Sequence, residues 1–383
     1  MSVLLTPEGA EALVAAMAEA DPGSLAAGER LRSKFPPELA AAAIQQTLLR
    51  RKAVTKIGES ALDMFFTDDA LQQATRSSVA AWRAARFRKL GVTKIFDLGC
   101  GIGADALAFE AAGLTLTAVE RDPLTAAYAA RNISGEVITG DAEEFWDSVA
   151  HLPETASAAV FIDPARRTSK GRTWRVADFS PSWDFVLSLL ARDGITCVKL
   201  GPGLPKELIP DGVEALWAGE QTSVVEVGLW SGPGIEPGMS ALLLPGGQEL
   251  RRDPTRNRLP VSDPGRFLIE PHGAVIRAGA FAELGEGLWL LDSQIAYLSF
   301  EEALDSPFAT SFEILETLPY SVKTIRNWVK TNQVGTLEIK VRGIEVDPAQ
   351  LRRELKPNGP NSATLILART KRGAQVFVAR RVL

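Results

Sequence analysis

Hydrophobic and polar positions between residues 94 and 230 form a repeating pattern of short apolar runs and longer amphipathic stretches. The apolar runs predict strands at 94–98, 114–119, 136–139, 158–162 and 195–200. The stretches between them predict helices at about 103–112, 123–131, 143–149 and 181–192. Strands that alternate with helices are typical of a parallel sheet covered on both faces. The sequence therefore predicts an α/β core.

Two further apolar runs, 212–219 and 223–230, close this core region. Only Glu220, Gln221 and Thr222 separate them. Because a parallel crossover needs about ten residues or more, these two strands must form an antiparallel hairpin. We therefore expect a Rossmann-like sheet that is mainly parallel, with an antiparallel last strand.

The pattern changes on both sides of the core. Residues 1–89 look helical, with helices at 8–20 and 38–53 and a third that starts at Asp68 or Asp69 and runs to Leu90. After a linker, SGPGIEPG, come a hairpin around LPGGQEL and strand-like stretches FLIE, AVIR, LWLL and IAYLSF, mixed with short helices. The last 64 residues read as a helix (321–331), a strand, a helix started by proline and two more strands.

These changes predict four domains. They are a helical lobe at 1–90, a ligand-binding α/β domain at 91–232, a small α+β domain at 233–318 and a basic α+β domain at 319–383. The 46% hydrophobic content of the 383 residues suits a large globular core.

Composition narrows the cellular setting. The N-terminus has acids and no early Lys or Arg, unlike a signal peptide, and no apolar run reaches the ~18 residues of a membrane span. With two cysteines and two histidines, the chain offers no metal-ligand cluster and no disulfide framework. We expect a reduced, cytoplasmic protein without a metal site. The pattern indicates no particular oligomeric state.

The net charge of −5 hides an uneven distribution. Residues 320–383 hold 13 Lys and Arg against 4 Asp and Glu, and residues 29–89 hold 12 against 6. The centre of the chain is acidic. Two basic segments are compatible with a polyanionic partner such as RNA, and equally with solvated faces.

The candidate chemistry lies at the carboxyl ends of the predicted strands. In KIFDLGCGIGAD, Asp97 precedes a turn with glycines at 99, 101 and 103, and such a turn brings bare backbone against a ligand. Acids follow the next three strands: Glu120, Asp141 and Asp163. An acid after the second strand can accept hydrogen bonds from both ribose hydroxyls of a nucleoside. These acids could also be helix N-caps.

Residues 94–230 resemble the class I S-adenosylmethionine-dependent methyltransferases. The resemblance implies S-adenosyl-L-methionine as cofactor. It places Asp97, Gly99, Gly101 and Gly103 on the methionine and ribose side, Glu120 with the adjacent Arg121 at the ribose diol, and Asp141 with Ala142 at the adenine.

The methyl acceptor is expected at FIDPARR. Families that methylate exocyclic amines carry Asp or Asn, two prolines and an aromatic ring at this point. Asp163 and Pro164 fit that role, whereas Ala165 and Arg166 replace the second proline and the ring. An arginine plane can stack on a base or grip a phosphate, so Arg166 joins the predicted catalytic residues. A stacking ring would then come from Phe66, Trp174 or Trp183. The following RRTSKGRTWR interleaves cations with an aromatic, which suits RNA or a solvated loop.

FIDPARR also resembles the DPxR motif of RNA 5-methyluridine methyltransferases. Those enzymes need a cysteine nucleophile just beyond the fifth strand, where this chain has Gly201-Pro202-Gly203. Cys197 lies inside the strand and Cys100 inside the glycine turn. Carbon methylation through a cysteine adduct is therefore disfavoured.

The whole chain resembles a bacterial group that combines a helical lobe containing MFFTDDALQQAT, a core with DPARR and a THUMP-like C-terminal region, here LEIKVRGIEVDPAQLRREL. THUMP domains bind RNA in RNA-modifying enzymes, although they commonly precede the catalytic core. Core and lobe are also similar to trimethylguanosine synthases. The resemblance thus implies methylation of a nucleobase nitrogen in RNA. A small-molecule or protein methyltransferase and a non-catalytic RNA-binding protein are the alternatives.

Overall fold

The computed structural model describes residues 2–166 and 175–382. Within it the chain forms two compact units. The first contains Met1–Ala215 and Glu226–Pro237, and the second contains Leu216–Val225 and Gly238–Leu383.

The first unit begins with five helices and continues with alternating strands and helices. The five helices are α1 Pro7–Met17, α2 Leu25–Arg32, α3 Pro37–Ile57, α4 Asp68–Gln73 and α5 Ser77–Lys89. The next elements are β1 Lys94–Leu98, α6 Ala104–Ala111, β2 Thr115–Glu120, α7 Pro123–Asn132, β3 Glu136–Thr139, α8 Ala142–Val149, α9 Pro153–Ala156 and β4 Ala159–Ile162. Then come β5 Ala165–Arg166, β6 Phe179–Ser180, α10 Trp183–Leu190 and β7 Thr196–Leu200. β8 Glu214–Glu220 and β9 Ser223–Ser231 follow, and the segment Leu216–Val225 of this hairpin belongs to the second unit.

The strands of this unit confirm the predicted fold class. β7, β4, β1, β2 and β3 lie side by side in that order and run parallel, and β9 pairs with β7 in the antiparallel direction. β8 and β9 are adjacent strands joined by Gln221 and Thr222, as the short spacing predicted. The predicted strand boundaries agree with the observed ones to within two residues.

The core of the sheet is apolar because helices cover both faces. All four residues of β4 are buried, and so are the last four of β1. On one face the ring of Phe109 in α6 lies 5.6 Å from the ring of Phe87 and 5.3 Å from that of Phe161, both at steep angles. This aromatic cluster joins α5 and α6 to β4.

The N-terminal helices match the prediction with one exception. The single helix expected from Asp68 to Leu90 is wrong, because the chain breaks between α4 and α5. Ala74 and Arg76 have extended backbone angles, and the hydroxyl of the buried Thr75 donates to the carboxylate of Asp105. Lys56 Nζ donates to the carbonyls of Leu71 and Gln72 at 3.0 and 2.7 Å, which satisfies the end of α4. A tertiary hydrogen bond thus overrides local helix propensity.

The second unit is built around a seven-stranded sheet. Its elements after β9 are β10 Gly238–Leu244, β11 Gln248–Arg251, β12 Phe267–Pro271, α11 Gly273–Ala278, β13 Trp289–Leu290, β14 Leu298–Phe300 and β15 Ala309–Pro319, then α12 Val322–Thr331, β16 Val334–Arg342, α13 Pro348–Leu355, β17 Asn361–Thr370 and β18 Gly373–Arg381. The strand order is β13-β14-β12-β15-β18-β17-β16. α12 and α13 cover one face through Ile325, Val329, Leu351 and Leu355.

Two features of this unit differ from the sequence reading. AVIR, expected as a strand, is helix α11, because His272 caps its first turn and Gly279 ends it in the left-handed conformation. The long strand β15 was not expected at all, and it pairs with both β12 and β18. The hairpin around LPGGQEL is present as β10 and β11. The division into four domains stays a prediction.

No helix within the described ranges has both the length and the apolar character needed to cross a bilayer.

Replacing Phe109 tests the packing of the core. Phe109 is fully buried between two rings, so Phe109→Ala should lower the free energy of unfolding by about 3–5 kcal/mol. Leu48→Ala, at a leucine that is 43% exposed, should cost less than about 1 kcal/mol and serves as the control. Urea denaturation measures both values. Equal losses for the two variants would contradict this account of the core.

Candidate active site

A cavity of about 520 Å³ opens in the first unit at the carboxyl ends of the parallel strands, where ligands of doubly wound sheets bind. Three groups of residues line it. Strand ends and the turns after them contribute Gly99, Cys100, Gly101, Ile102, Ala104, Asp105, Val119, Glu120, Arg121, Asp122, Thr125, Gly140, Asp141, Ala142, Asp163, Ala165 and Lys199; α4 and the break after it contribute Thr67, Asp69, Ala70, Gln73, Ala74 and Thr75; β6 and the residue after it contribute Ser180 and Pro181.

Six of the eight predicted cofactor residues line this cavity. They are Gly99, Gly101, Glu120, Arg121, Asp141 and Ala142. The other two, Asp97 and Gly103, do not line it. Gly103 is the N-cap of α6, and a Cβ there would come within 2.8 Å of Ile133 Cγ2. Asp97 at the end of β1 is fully buried.

The turn itself has the backbone that its glycines predicted. Gly99 and Gly101 have φ angles of 91° and 57°, which residues other than glycine rarely adopt. A Cβ added at Gly101 would meet no atom within 4 Å, so the backbone faces open space. A ligand in the cavity can therefore contact the main chain directly.

Glu120 and Asp141 hold the loops that carry them. Glu120 Oε2 accepts from the amide of Gly101 at 3.1 Å, and Oε1 accepts from that of Asp122 at 2.9 Å. Asp141 Oδ1 caps α8, since it accepts from the amides of Glu143 and Glu144. Asp141 can cap the helix and also bind a ligand, because a carboxylate has two oxygens and the cap uses only Oδ1.

Arg121 links the two sides of the cavity. Its Nη1 donates to Ser180 Oγ at 2.9 Å. Ser180 belongs to β6. This strand pairs with β5, and β5 directly follows Asp163 and Pro164 in the chain. The amide of Ser182 donates to Glu143 Oε1 at 2.6 Å. The predicted acceptor segment is thus bonded to the loops after β2 and β3.

Asp163 and Pro164 lie at the tip of β4, as predicted. The Asp163 side chain is 35% exposed, lines the cavity and accepts from Lys199 Nζ through Oδ2. Pro164 is buried. The backbone of Arg166 forms β5, but its side chain and residues 167–174 lie outside the described part, including most of RRTSKGRTWR and Trp174. Phe66 and Trp183 are buried and do not line the cavity.

Sequence reasoning missed Lys199 and the charges behind it. Arg83 of α5 bridges the carboxylates of Asp105 and Glu226, and all three are buried. Lys199 Nζ lies 4.0 Å from Asp105 Oδ2 while it binds Asp163. A search for polar residues of any kind at strand ends, rather than for acids, could have found Lys199 at the end of β7.

Burial and pairing oppose each other within this cluster. Burial alone would lower the pKa of Arg83, but the carboxylates of Asp105 and Glu226 outweigh it and raise the pKa. The pKa of Lys199 is raised in the same way by Asp163 and Asp105. Burial raises the pKa of Glu226 against the effect of Arg83. Lys199 and Arg83 therefore carry permanent charges.

Asp97 differs from its neighbours because no cation among the described residues forms an ion pair with it. Neither of its carboxylate oxygens has a hydrogen-bond partner among the described residues. Burial, and then the carboxylates of Asp105 and Asp163, raise the pKa of Asp97 well above its ordinary value.

Cys197 is a buried thiol, whereas Cys100 is only partly buried. Burial raises the pKa of Cys197, inside β7, to about 12, and it raises the pKa of Cys100 as well. Neither thiol is activated as a nucleophile.

Comparison with known proteins identifies the family. A family model described as THUMP domain-like matches residues 309–381, and one described as a domain of unknown function (DUF8688) matches residues 1–53. An uncharacterized S-adenosylmethionine-dependent methyltransferase of Mycobacterium tuberculosis is 33% identical over 348 residues, covering 86% of this chain and 93% of the relative. The crystal structure of a proposed methyltransferase from Porphyromonas gingivalis has the same fold, with a TM-score of 0.78, 22% identity and coverage of 97% of this chain and 98% of that one.

The chain belongs to the S-adenosylmethionine-dependent methyltransferases. It is an enzyme whose cofactor is S-adenosyl-L-methionine. The cavity fits that cofactor, because it combines bare glycine backbone with acids after the second and third strands, and the orphaned buried carboxylate of Asp97 lies two residues before the first glycine of the turn. The individual roles of these residues stay predictions.

Replacing Glu120 tests the predicted ribose contact. Glu120→Gln keeps the shape but removes the charge that strengthens hydrogen bonds from hydroxyls, so affinity for S-adenosylhomocysteine should fall about tenfold or more. Titration calorimetry measures the affinity. Glu144→Gln, at an exposed acid of α8, should bind like wild type. An unchanged affinity in Glu120→Gln would show that Glu120 does not contact the cofactor.

The raised pKa of Asp97 predicts a pH-dependent stability. The folded state binds the proton of the Asp97 carboxyl group more tightly than the unfolded state does. The contribution of this proton to the free energy of unfolding is therefore complete at low pH and is lost as pH rises through the folded pKa. Wild type should lose up to about 1.4 kcal/mol per pH unit relative to Asp97→Asn. Urea denaturation at several pH values measures the difference. Asp147→Asn, at an exposed site on α8, is the control, and parallel curves for wild type and Asp97→Asn would refute the prediction.

Proposed function

We propose that the enzyme methylates a nucleobase nitrogen in RNA and that it works in the cytoplasm. The observation that carries the proposal is Asp163, which stands at the tip of β4 on the cavity wall, with Oδ2 bonded to Lys199. Oδ1 bonds no other described residue. A carboxylate fixed through one oxygen can accept an N–H through the other, which suits an exocyclic amine.

In this proposal the protein mainly aligns the reactants. The bound cofactor supplies a methyl group on a sulfonium, and the backbone at Gly99 and Gly101, Glu120 and Asp141 with Ala142 hold the cofactor. Asp163 orients the target nitrogen by accepting its N–H, and alignment of this kind accounts for much of the rate of an in-line displacement. Because Asp163 is partly exposed, the proton released from the nitrogen can reach water. Pro164 and Arg166 complete the acceptor side.

RNA as the substrate is supported by the C-terminal region. The THUMP-like match covers residues 309–381. Helix α12 buries Ile325 and Val329 and exposes Lys323, Arg326 and Lys330, whose spacing puts the three cations on its outer side. Such a face can bind phosphates.

A small-molecule or protein substrate is the second candidate. The described lining of the cavity has six acids, Asp69, Asp105, Glu120, Asp122, Asp141 and Asp163, against two cations, Arg121 and Lys199. Two cations of the N-terminal lobe, Arg50 and Arg83, are buried. Neither fact favours phosphates at the cavity entrance. This candidate predicts weak RNA binding with little salt dependence.

Methyl transfer into RNA tests the proposal directly. Tritium-labelled cofactor and total RNA from a strain lacking the protein should give labelled nucleosides with wild type and with Asp184→Ala, an exposed site on α10. Asp163→Ala should lose at least about 100-fold in rate, because the target nitrogen is no longer oriented. Calorimetry with S-adenosylhomocysteine shows that the variant still binds cofactor. Absence of label from every RNA fraction would refute the RNA proposal, and full activity of Asp163→Ala would refute the role of Asp163.

A further inference from the structure

Asp97 has an environment that an ionised carboxylate does not tolerate. It is fully buried at the end of β1, directly before the glycine turn that lines the cavity, and both oxygens lack partners among the described residues. An isolated buried charge costs many kcal/mol, and in practice such a group stays neutral. Its position places a titratable group beside the site without direct exposure to solvent.

The charged groups around Asp97 come from every element packed against it. Two acids, Asp105 of α6 and Asp163 after β4, repel a negative charge there. The two cations, Lys199 of β7 and Arg83 of α5, are already bonded to other carboxylates. The neutral thiol of Cys100 lies on the cavity side, and its own pKa is raised by Asp97 after the larger effect of burial. Lys199 and Arg83 lower the pKa of Asp97, but burial and the two acids outweigh them, so the described cations balance Asp97 only in part.

The cofactor brings the missing positive charge. S-adenosylmethionine carries a sulfonium and an α-ammonium against one carboxylate, so it enters the acid-rich cavity as a net cation. S-adenosylhomocysteine has the same shape but lacks the sulfonium charge. A carboxyl group that can ionise when a cation arrives would favour the methyl donor over the spent product.

We propose that Asp97 is a specificity-determining residue for the methyl donor: it is neutral in the empty site and releases its proton when the sulfonium cation fills the cavity. The proton moves from the Asp97 carboxyl group to solvent, and the resulting carboxylate balances the added charge. The raised pKa of Asp97 in the free protein agrees with this. The inference rests on the established cofactor and not on the identity of the methyl acceptor.

Release of a proton makes binding dependent on pH. Below the raised pKa of Asp97, affinity for S-adenosylmethionine should rise with pH, by up to about tenfold per unit. Between about pH 5.5 and 7 the α-ammonium of the ligand stays protonated. The chain has two histidines, His151 and His272, and neither lines the cavity.

Titration calorimetry with S-adenosylmethionine tests the inference on the full chain. At about pH 6.5, binding enthalpies in phosphate and in imidazole buffers, which differ in ionisation enthalpy, give the number of protons released. Wild type and the exposed control Asp147→Asn should release a measurable fraction of a proton, up to one. Asp97→Asn should release none. No release by wild type, or equal release by Asp97→Asn, would overturn the proposal.

A second ligand tests the selectivity. Asp97→Asn should weaken S-adenosylmethionine by about tenfold, the equivalent of about 1.4 kcal/mol, and S-adenosylhomocysteine by less than about threefold. Equal weakening of both ligands would show that Asp97 does not distinguish their charges. Wild-type proton release is measured without any substitution, so misfolding of the variant would not leave the proposal untested.

Discussion

The guanidinium group of Arg83 joins three parts of the first unit that are far apart in the sequence. Arg83 lies on α5, Asp105 on α6 directly after the glycine turn, and Glu226 on β9. Removing one partner of a buried ion pair leaves an uncompensated charge that costs about 3–5 kcal/mol. Since Asp105 also accepts from Thr75, the same cluster fixes the break between α4 and α5 that forms one wall of the cavity. Cofactor cavity and helical lobe therefore depend on one set of charges.

The sheet could be predicted from sequence because the apolar pattern that marks each strand lies within a few consecutive residues. Strands buried on both faces are mostly apolar, so β4 and the Ile95, Phe96 and Leu98 positions of β1 stand out against the amphipathic helices. Parallel strands also present their carboxyl ends at one edge, so that counting acids after each strand found Glu120, Asp141 and Asp163. All three line the cavity.

What the sequence did not reveal depends on contacts between distant residues. Neither glycine nor proline marks the break at Ala74, and its cause, the bond from Thr75 to Asp105, spans 30 positions. Lys199 was overlooked because its role depends on the neighbouring strand. The apolar AVIR is compatible with a strand or a helix, and the caps at His272 and Gly279 decide for the helix. Net charge does not show such contacts either: at least seven of the twelve cations in residues 29–89 bond carbonyl oxygens or carboxylates, as Arg50, Arg51 and Lys56 do.

The two thiols have a practical consequence. Cys197 lies inside β7 with no exposed surface, whereas Cys100 lines the cavity within the glycine turn. An alkylating reagent could reach Cys100 through the empty cleft, slowly because the thiolate is scarce, and an occupying nucleoside would shield it. Modification of Cys197 requires the sheet to open. The native chain therefore carries two built-in labelling positions, one that reports ligand occupancy and one that reports global unfolding.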